Sequence, residues 1–254
     1  MSQRGRKRGR GKKGAQAPDI LYHATDVELA SRARERGVLE GEGGRQVYMS
    51  RSESQAWLVA HRRKVEPEVL YIDVSRARRA GSRFVRNGRG LWQSKSISTD
   101  HVLNLREGFG HQLSAGGVPV YRGPNGPEVA LIQVVRRFGA TWEIAKGKLE
   151  PGEDPISSAK REIQEEMGAV MPLSLMEDLG PVRYGFTLPE GHPRLKTMFV
   201  YMFETPERVV NFQPAAGESV QDVKWFSPRA AQRAVTHRSL RPMINLVRWL
   251  LDPR

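Results

Sequence analysis

Apolar positions in the first part of the chain come in short clusters. Ile20–Tyr22 and Val47–Met49 read as strand fragments, and Val69–Val74 alternates with the period of two of a half-buried strand. Between them, Val27–Arg36 is a helical stretch closed by Gly37. Ser52, with Gln55 three residues on, is a capping-box signal for a helix to about His61. Gly108, Gly110, Gly116 and Gly117 mark a joint. Beyond it, Val118–Tyr121 and Val129–Val135 flank Arg122-Gly-Pro-Asn-Gly-Pro127, a strong turn signal, and so predict a hairpin. A helix over Pro155–Met167 follows, then strands near Met198–Phe203 and Val223–Phe226. Ser227 and Pro228 suit the N-cap and first residue of a helical C-terminus that ends at Trp249–Leu251. No internal repeat is present. The pattern divides the chain into a tail (1–17), a small α+β domain (18–106), a linker (107–112) and a second domain (113–254).

Charge changes the picture at the N-terminus. Of a formal net charge of +13, Arg4, Arg6, Lys7, Arg8, Arg10, Lys12 and Lys13 lie before residue 14, with only Gly, Ser, Gln and Met between them. Such a stretch buries no apolar surface and is expected to be disordered. It reads either as a salt-dependent contact to an RNA phosphate backbone or as a solubilising tail. No apolar run approaches the ~20 residues of a membrane span, and no apolar segment follows the basic residues as in a secretory signal. There is no cysteine, which excludes disulfides and thiolate metal sites and fits a cytoplasmic protein.

The chemistry concentrates in Gly147-Lys-Leu-Glu-Pro-Gly-Glu153 and Arg161-Glu162-Ile163-Gln164-Glu165-Glu166-Met167-Gly168. Asp154 is a good N-cap, Pro155 is favoured at the first helical position, and Gly168 suits the residue after the helix. Glu162, Glu165 and Glu166 then share one face, while Ile156, Ala159, Ile163 and Met167 fall roughly on another that can pack on a sheet. Three like charges on one face repel, and a hard divalent cation with oxygen ligands rewards their clustering. Glu153 can reach this face, to bind Arg161 or the metal shell. A metal so held polarises a phosphoryl oxygen and lowers the pKa of a bound water.

These residues resemble the Nudix hydrolase box: Gly, five residues, Glu, seven residues, Arg-Glu, an apolar residue, any residue, Glu-Glu, any residue, Gly, apolar. Gly147, Glu153, Arg161, Glu162, Ile163, Glu165, Glu166 and Gly168 fit without a gap, and Ala169 fills the last apolar place. The resemblance covers roughly residues 113–254 and implies an α/β/α sandwich with a mixed sheet. It implies Mg²⁺ or Mn²⁺ held by the Gly147 carbonyl, Glu162 and Glu166, helped by Glu165, with Glu153 and Arg161 in support. The catalytic base is then Glu162 or Glu218. Trp142-Glu-Ile-Ala-Lys146-Gly147 is similar to a stretch of Nudix enzymes acting on diadenosine polyphosphates and diphosphoinositol phosphates, with Ala145 in place of a proline. Lys146 and Lys148 would meet polyphosphate charge, with Arg136, Arg137, Arg183 and Lys196 as further cations. The implied activity is cleavage of a diphosphate linkage in a nucleotide substrate of the diadenosine polyphosphate or ADP-ribose type.

Residues 20–105 resemble the NAD-binding lobe of the RNA 2′-phosphotransferases, relatives of the ADP-ribosyltransferases. The matching stretches are Leu21-Tyr22-His23-Ala24-Thr25, Arg45-Gln-Val-Tyr48-Met-Ser50, Leu70-Tyr-Ile-Asp73 and Asn87-Gly-Arg-Gly-Leu-Trp92, in the family's order. The resemblance implies an ADP-ribosyltransferase-like α+β domain that takes NAD. His23 would fix a ribose hydroxyl, Tyr48 would support the nicotinamide, and Arg45 would contact a phosphate or the transferred group. No segment matches the lobe with which that family grips the RNA 2′-phosphate, and no acidic residue near Gln93 matches its catalytic Glu. Two alternatives to a principal Nudix activity stand: NAD-dependent RNA 2′-phosphotransfer or ADP-ribosyl transfer by the first domain, and a non-enzymatic RNA-binding adaptor using the tail.

Overall fold

The computed structural model describes residues 17–62, 66–136, 139–214 and 219–253. Residues 1–16, Arg137 and Glu218 lie outside the described residues. The chain divides into two compact units at the Leu105–Arg106 junction.

In the first unit, strands β1 (Ile20–Asp26), β2 (Val38–Glu40), β3 (Val47–Met49), β4 (Pro67–Asp73), β5 (Val85–Arg86), β6 (Trp92–Ser94) and β7 (Ser96–Ser98) alternate with helices α1 (Val27–Arg36), α2 (Glu53–His61) and α3 (Val74–Arg79). β1 pairs antiparallel with β4, β6 lies between β3 and β5, and β2 pairs with β7. Local chemistry sets the helix ends. The Asp26 carboxylate accepts from Leu29 N at 2.8 Å, Ser52 Oγ accepts from Gln55 N, and Gly37 closes α1 with φ of 70°. Leu21, Val47, Met49, Leu70, Ile72, Trp92 and Ile97 form the core. Ala17 is buried in it as well, so the tail ends before that residue. A lone alanine carries no periodicity that would have shown this.

The second unit contains β8 (Gly110–Gly123), β9 (Gly126–Arg136), β10 (Gly139–Glu143), β11 (Ala145–Lys148), α4 (Pro155–Met167), β12 (Ser174–Thr187), β13 (Pro193–Thr205), β14 (Val220–Phe226), α5 (Pro228–Ala234) and α6 (Arg241–Leu251). They make a mixed seven-stranded sheet in the order β10-β9-β8-β13-β12, with β11 also on β8 and β14 also on β9. β8 and β13 run parallel and the other pairs antiparallel. The predicted hairpin is the β8–β9 turn, closed at Gly123 and Gly126. α4 packs on one face through Ala159, Ile163 and Met167, and α5 and α6 cover the other through Ala231, Ile244 and Val247. The unit is therefore an α/β/α sandwich with a mixed sheet, as the family resemblance implies.

Three expectations are corrected. Gly110–Gln112 are not linker but the first residues of β8, paired with Arg194–Lys196. Gly116 and Gly117 are not a joint either, since they lie inside β8. A Cβ at Gly116 would run into the Ala145 carbonyl and Lys146, and one at Gly117 into Ile163 and Phe203. These glycines admit β11 and α4 to close range. The C-terminal helical stretch is two helices, broken where Val235 bridges to Trp142 and Thr236 N donates to the Trp142 carbonyl.

Gly168 closes α4 with φ of 63°, its N–H donating to the Gln164 carbonyl, and a Cβ there would overlap the Gln213 backbone. Gly168→Ala combines a left-handed penalty with a backbone clash. The expected cost is about 2–4 kcal/mol, or a fall in thermal midpoint of roughly 5–15 °C by calorimetry.

Candidate metal and phosphate site

Asp154 caps α4 by accepting from Ile156 N and Ser157 N, both at 3.0 Å, and Pro155 opens the first turn. This fixes the phase of the helix so that Ile163 and Met167 enter the core and Glu162 and Glu166 face β11. Glu162 is buried, with 9% of its surface exposed. Its carboxylate lies directly over Gly147, in space that a Cβ on that residue would fill. Glu166 Oε2 accepts from Lys146 N at 2.6 Å. The two carboxylates thus meet adjacent residues of the β11 backbone.

Arg161 organises the remaining acids. Its Nε and Nη2 donate to the two oxygens of Glu153 at 2.9 Å each, a bidentate pair. Nη1 donates to Glu162 Oε1 at 2.8 Å and Glu165 Oε2 at 2.9 Å, and Nη2 reaches the Lys148 carbonyl at 3.1 Å. The Arg161 hydrogen bonds hold the Glu153 carboxyl down at about 2. One guanidinium therefore ties the glycine-rich loop to the helix and carries three of the clustered charges.

Among the described residues, no three acidic or histidine side chains converge on one point as they stand. The reason is visible in the contacts: Arg161 draws Glu153, Glu162 and Glu165 around itself, while Glu166 turns to the Lys146 N–H. Glu165, expected to help hold a metal, is half-exposed on Arg161. Glu162, Glu166 and the bare backbone at Gly147 do fit a small divalent cation, because all are oxygen donors and the absent side chain leaves the approach open.

Lys146 and Lys196 bring positive charge to the same region. Burial pushes the Lys196 ammonium down to about 8, with Lys146 adding repulsion and Glu166, Glu143 and Glu162 partly offsetting it. Lys148 and Arg183 are exposed, and Arg136 is engaged with Glu143 at 2.7 Å. Sequence reading passed over Glu143. It is wholly buried and also pairs with Lys146. A charged residue next to Trp142 in a β-strand was the one signal available.

In the first unit His23, Arg45 and Tyr48 all line one cavity of about 1130 Å³, together with Arg32, Arg36 and Arg89. His23 Nδ1 donates to the Tyr48 carbonyl at 2.8 Å, which fixes the ring between β1 and β3. The Tyr48 side chain itself is exposed.

Strand order, the capped helix and the placement of its glutamates over a glycine-bearing strand define the class. A family model described as the NUDIX domain matches residues 110–247, more than half of the chain, and the chain belongs to the Nudix family. A putative mutator protein MutT4 of Mycobacterium tuberculosis (strain CDC 1551 / Oshkosh) is 34% identical over 146 residues, which are 56% of this chain and 56% of that protein. An RNA pyrophosphohydrolase of Rhodospirillum rubrum is 38% identical over 86 residues, 31% of this chain and 49% of that protein. The chain thus spans about half the length of each of these relatives. Among solved structures, a C. elegans Ap4A hydrolase binary complex is 20% identical, covering 56% of this chain and 99% of that one with a TM-score of 0.44.

Proposed function

We propose that the second unit is a Mg²⁺- or Mn²⁺-dependent hydrolase of a diphosphate linkage, acting on a nucleotide of the diadenosine polyphosphate or ADP-ribose type. The observation that carries this reading is the placement of Glu162 and Glu166 on adjacent backbone residues of β11, with Gly147 bare beneath Glu162. Glu162, Glu166 and the Gly147 carbonyl would hold the cation, with Glu165 nearby. Bound there, it supplies Lewis-acid polarisation of phosphoryl oxygens and an acidified water. Lys196 neutralises the charge of the polyphosphate and Lys148 offers a further cation, while the Lys146 ammonium is held by Glu143. Arg161 and Glu153 keep the loop and the helix in register. A base near the attacking water is needed, and Glu162 and Glu218 are the two candidates. If Glu218 is the base, Glu218→Gln lowers kcat by ~10²-fold or more with Mn²⁺ affinity unchanged. An unchanged kcat assigns the role to Glu162.

The direct test is a panel of ADP-ribose, NAD, diadenosine polyphosphates, nucleoside triphosphates, diphosphoinositol phosphates and capped RNA, with Mg²⁺ and with chelator. Metal-dependent turnover of a dinucleotide or ADP-ribose-type compound supports the reading. Turnover that persists in chelator, or that is confined to nucleoside triphosphates, diphosphoinositol phosphates or capped RNA, contradicts it.

A second reading concerns the first unit. The single cavity that gathers His23, Arg45 and Tyr48 favours binding of NAD or an ADP-ribose-type ligand there. Isothermal titration with NAD and ADP-ribose should show binding that His23→Ala weakens by about tenfold or more, on the scale of one lost hydrogen bond to a fixed partner. Binding indifferent to His23 and Arg45 would sink that reading.

A further inference from the structure

β10 ends at Glu143 and β11 begins at Ala145. Between them, the step at Ile144 passes the chain from pairing with β9 to pairing with β8. In a regular strand, residues three apart point to opposite faces. Here Lys146 Nζ lies 2.5 Å from Glu143 Oε2, so the step is what brings the two side chains together. Glu143 has no exposed surface and also meets Arg136 Nη2 at 2.7 Å and Thr141 Oγ1 at 3.4 Å. His237 Nε2, from the break between α5 and α6, stands 3.6 Å from its Oε2. Burial alone would raise the Glu143 carboxyl; His237, Lys146 and Arg136 more than reverse that and hold it well below the usual carboxylate range.

Lys146 is therefore anchored twice. Its ammonium is taken by Glu143, and its backbone N–H donates to Glu166. It is also the immediate neighbour of Gly147, over which Glu162 lies. A lysine side chain is long and flexible, and an ammonium released from Glu143 stays on the residue whose own backbone N–H meets Glu166. An ion pair made with that carboxylate would compete with a divalent cation for the same oxygens.

We propose that Glu143 is a positioning residue of the Nudix site: by taking the Lys146 ammonium into a buried pair, it keeps that cation from closing on Glu166. The role lies outside the box and rests on the metal-dependent reading of the site. Glu143 touches neither metal nor substrate in this account, and acts only through Lys146.

The test is a double-mutant cycle read by Mn²⁺ binding to the full chain, using electron paramagnetic resonance, so that no turnover is needed. Glu143→Gln keeps the shape and removes the charge, and is expected to weaken Mn²⁺ by about tenfold, the scale of one competing ion pair. Lys146→Met in the native background is expected to change affinity by less than about threefold. The same Lys146→Met added to Glu143→Gln is expected to restore affinity to within about threefold of native. This non-additivity distinguishes a held lysine from a general field of charge, whose two substitutions would simply add. An additive cycle, or a Glu143→Gln loss that Lys146→Met does not relieve, overturns the proposal. If Glu143→Gln does not fold, Lys146→Met alone still decides: a tightening beyond about tenfold means that Lys146 already competes in the native protein, which overturns it. Mn²⁺ binding that is absent, or untouched by Glu166→Gln, removes the metal reading and this inference together. A failure of the cycle with Glu166-dependent binding intact removes this inference alone.

Discussion

Replacing Glu166 by Gln should lower kcat for the preferred diphosphate substrate by about 10²–10³-fold, with the fold intact. The shape is nearly unchanged, and the amide can still accept from Lys146 N, whose bond to Glu166 is 2.6 Å long. What disappears is a negative charge at the place where the divalent cation is expected, and Lewis-acid stabilisation there is worth several kcal/mol, with each 1.4 kcal/mol a factor of ten in rate. The loss should appear in kcat more than in KM, because the missing interaction is made chiefly in the transition state. Raising Mn²⁺ should recover part of the rate. Full activity in the variant would mean that Glu166 is not a ligand.

The second large effect is expected at Gly147. Its backbone lies outside the left-handed region, so alanine costs little in conformation. The added Cβ, however, falls within the space of the Glu162 carboxylate. Glu162 must then move, and it cannot move freely, because Arg161 Nη1 holds its Oε1 at 2.8 Å while the rest of that guanidinium is bound to Glu153 and Lys148. A misplacement on the order of 1 Å at a reacting centre can cost ~10²-fold. Gly147→Ala should therefore lower kcat by about that factor while the thermal midpoint stays within a few degrees. Gly168→Ala should do the reverse, losing stability first, since its Cβ meets backbone rather than the Glu162 carboxylate. Steady-state kinetics and calorimetry on both variants separate the two roles.

What could be read from the sequence was what local chemistry decides. Asp154, Pro155 and Gly168 bound α4 by capping and backbone conformation alone, and the spacing of Glu162, Glu165 and Glu166 fixes their common face. Strands whose pairing is decided across the sheet were harder. β12 runs from Ser174 to Thr187 with mixed polar and apolar residues, and register shifts between Leu175 and Glu177 and between Asp178 and Gly180 destroy its alternation. Gly116 and Gly117 look like a joint in sequence because the partners that require them, Ala145 and Ile163, are remote along the chain. Glu143 was missed for the same reason. Its pairing with Lys146 depends on a strand step, and its contact with His237 on a break between two helices that looked like one. In the first unit, His23 shares a cavity with Arg45 and Tyr48, although it lies on a different segment from those two.

The measurement that bears most directly on the central claim is hydrolysis in ¹⁸O-labelled water with Mg²⁺, followed by mass spectrometry of the products. ADP-ribose and NAD serve as substrates, beside the diadenosine polyphosphates. Cleavage of a diphosphate linkage by the second unit places one ¹⁸O on a phosphoryl group of a product. Label at the ribose carbon, with the diphosphate intact, would mean that the chemistry is glycosidic, and the Nudix site would not be the seat of the activity.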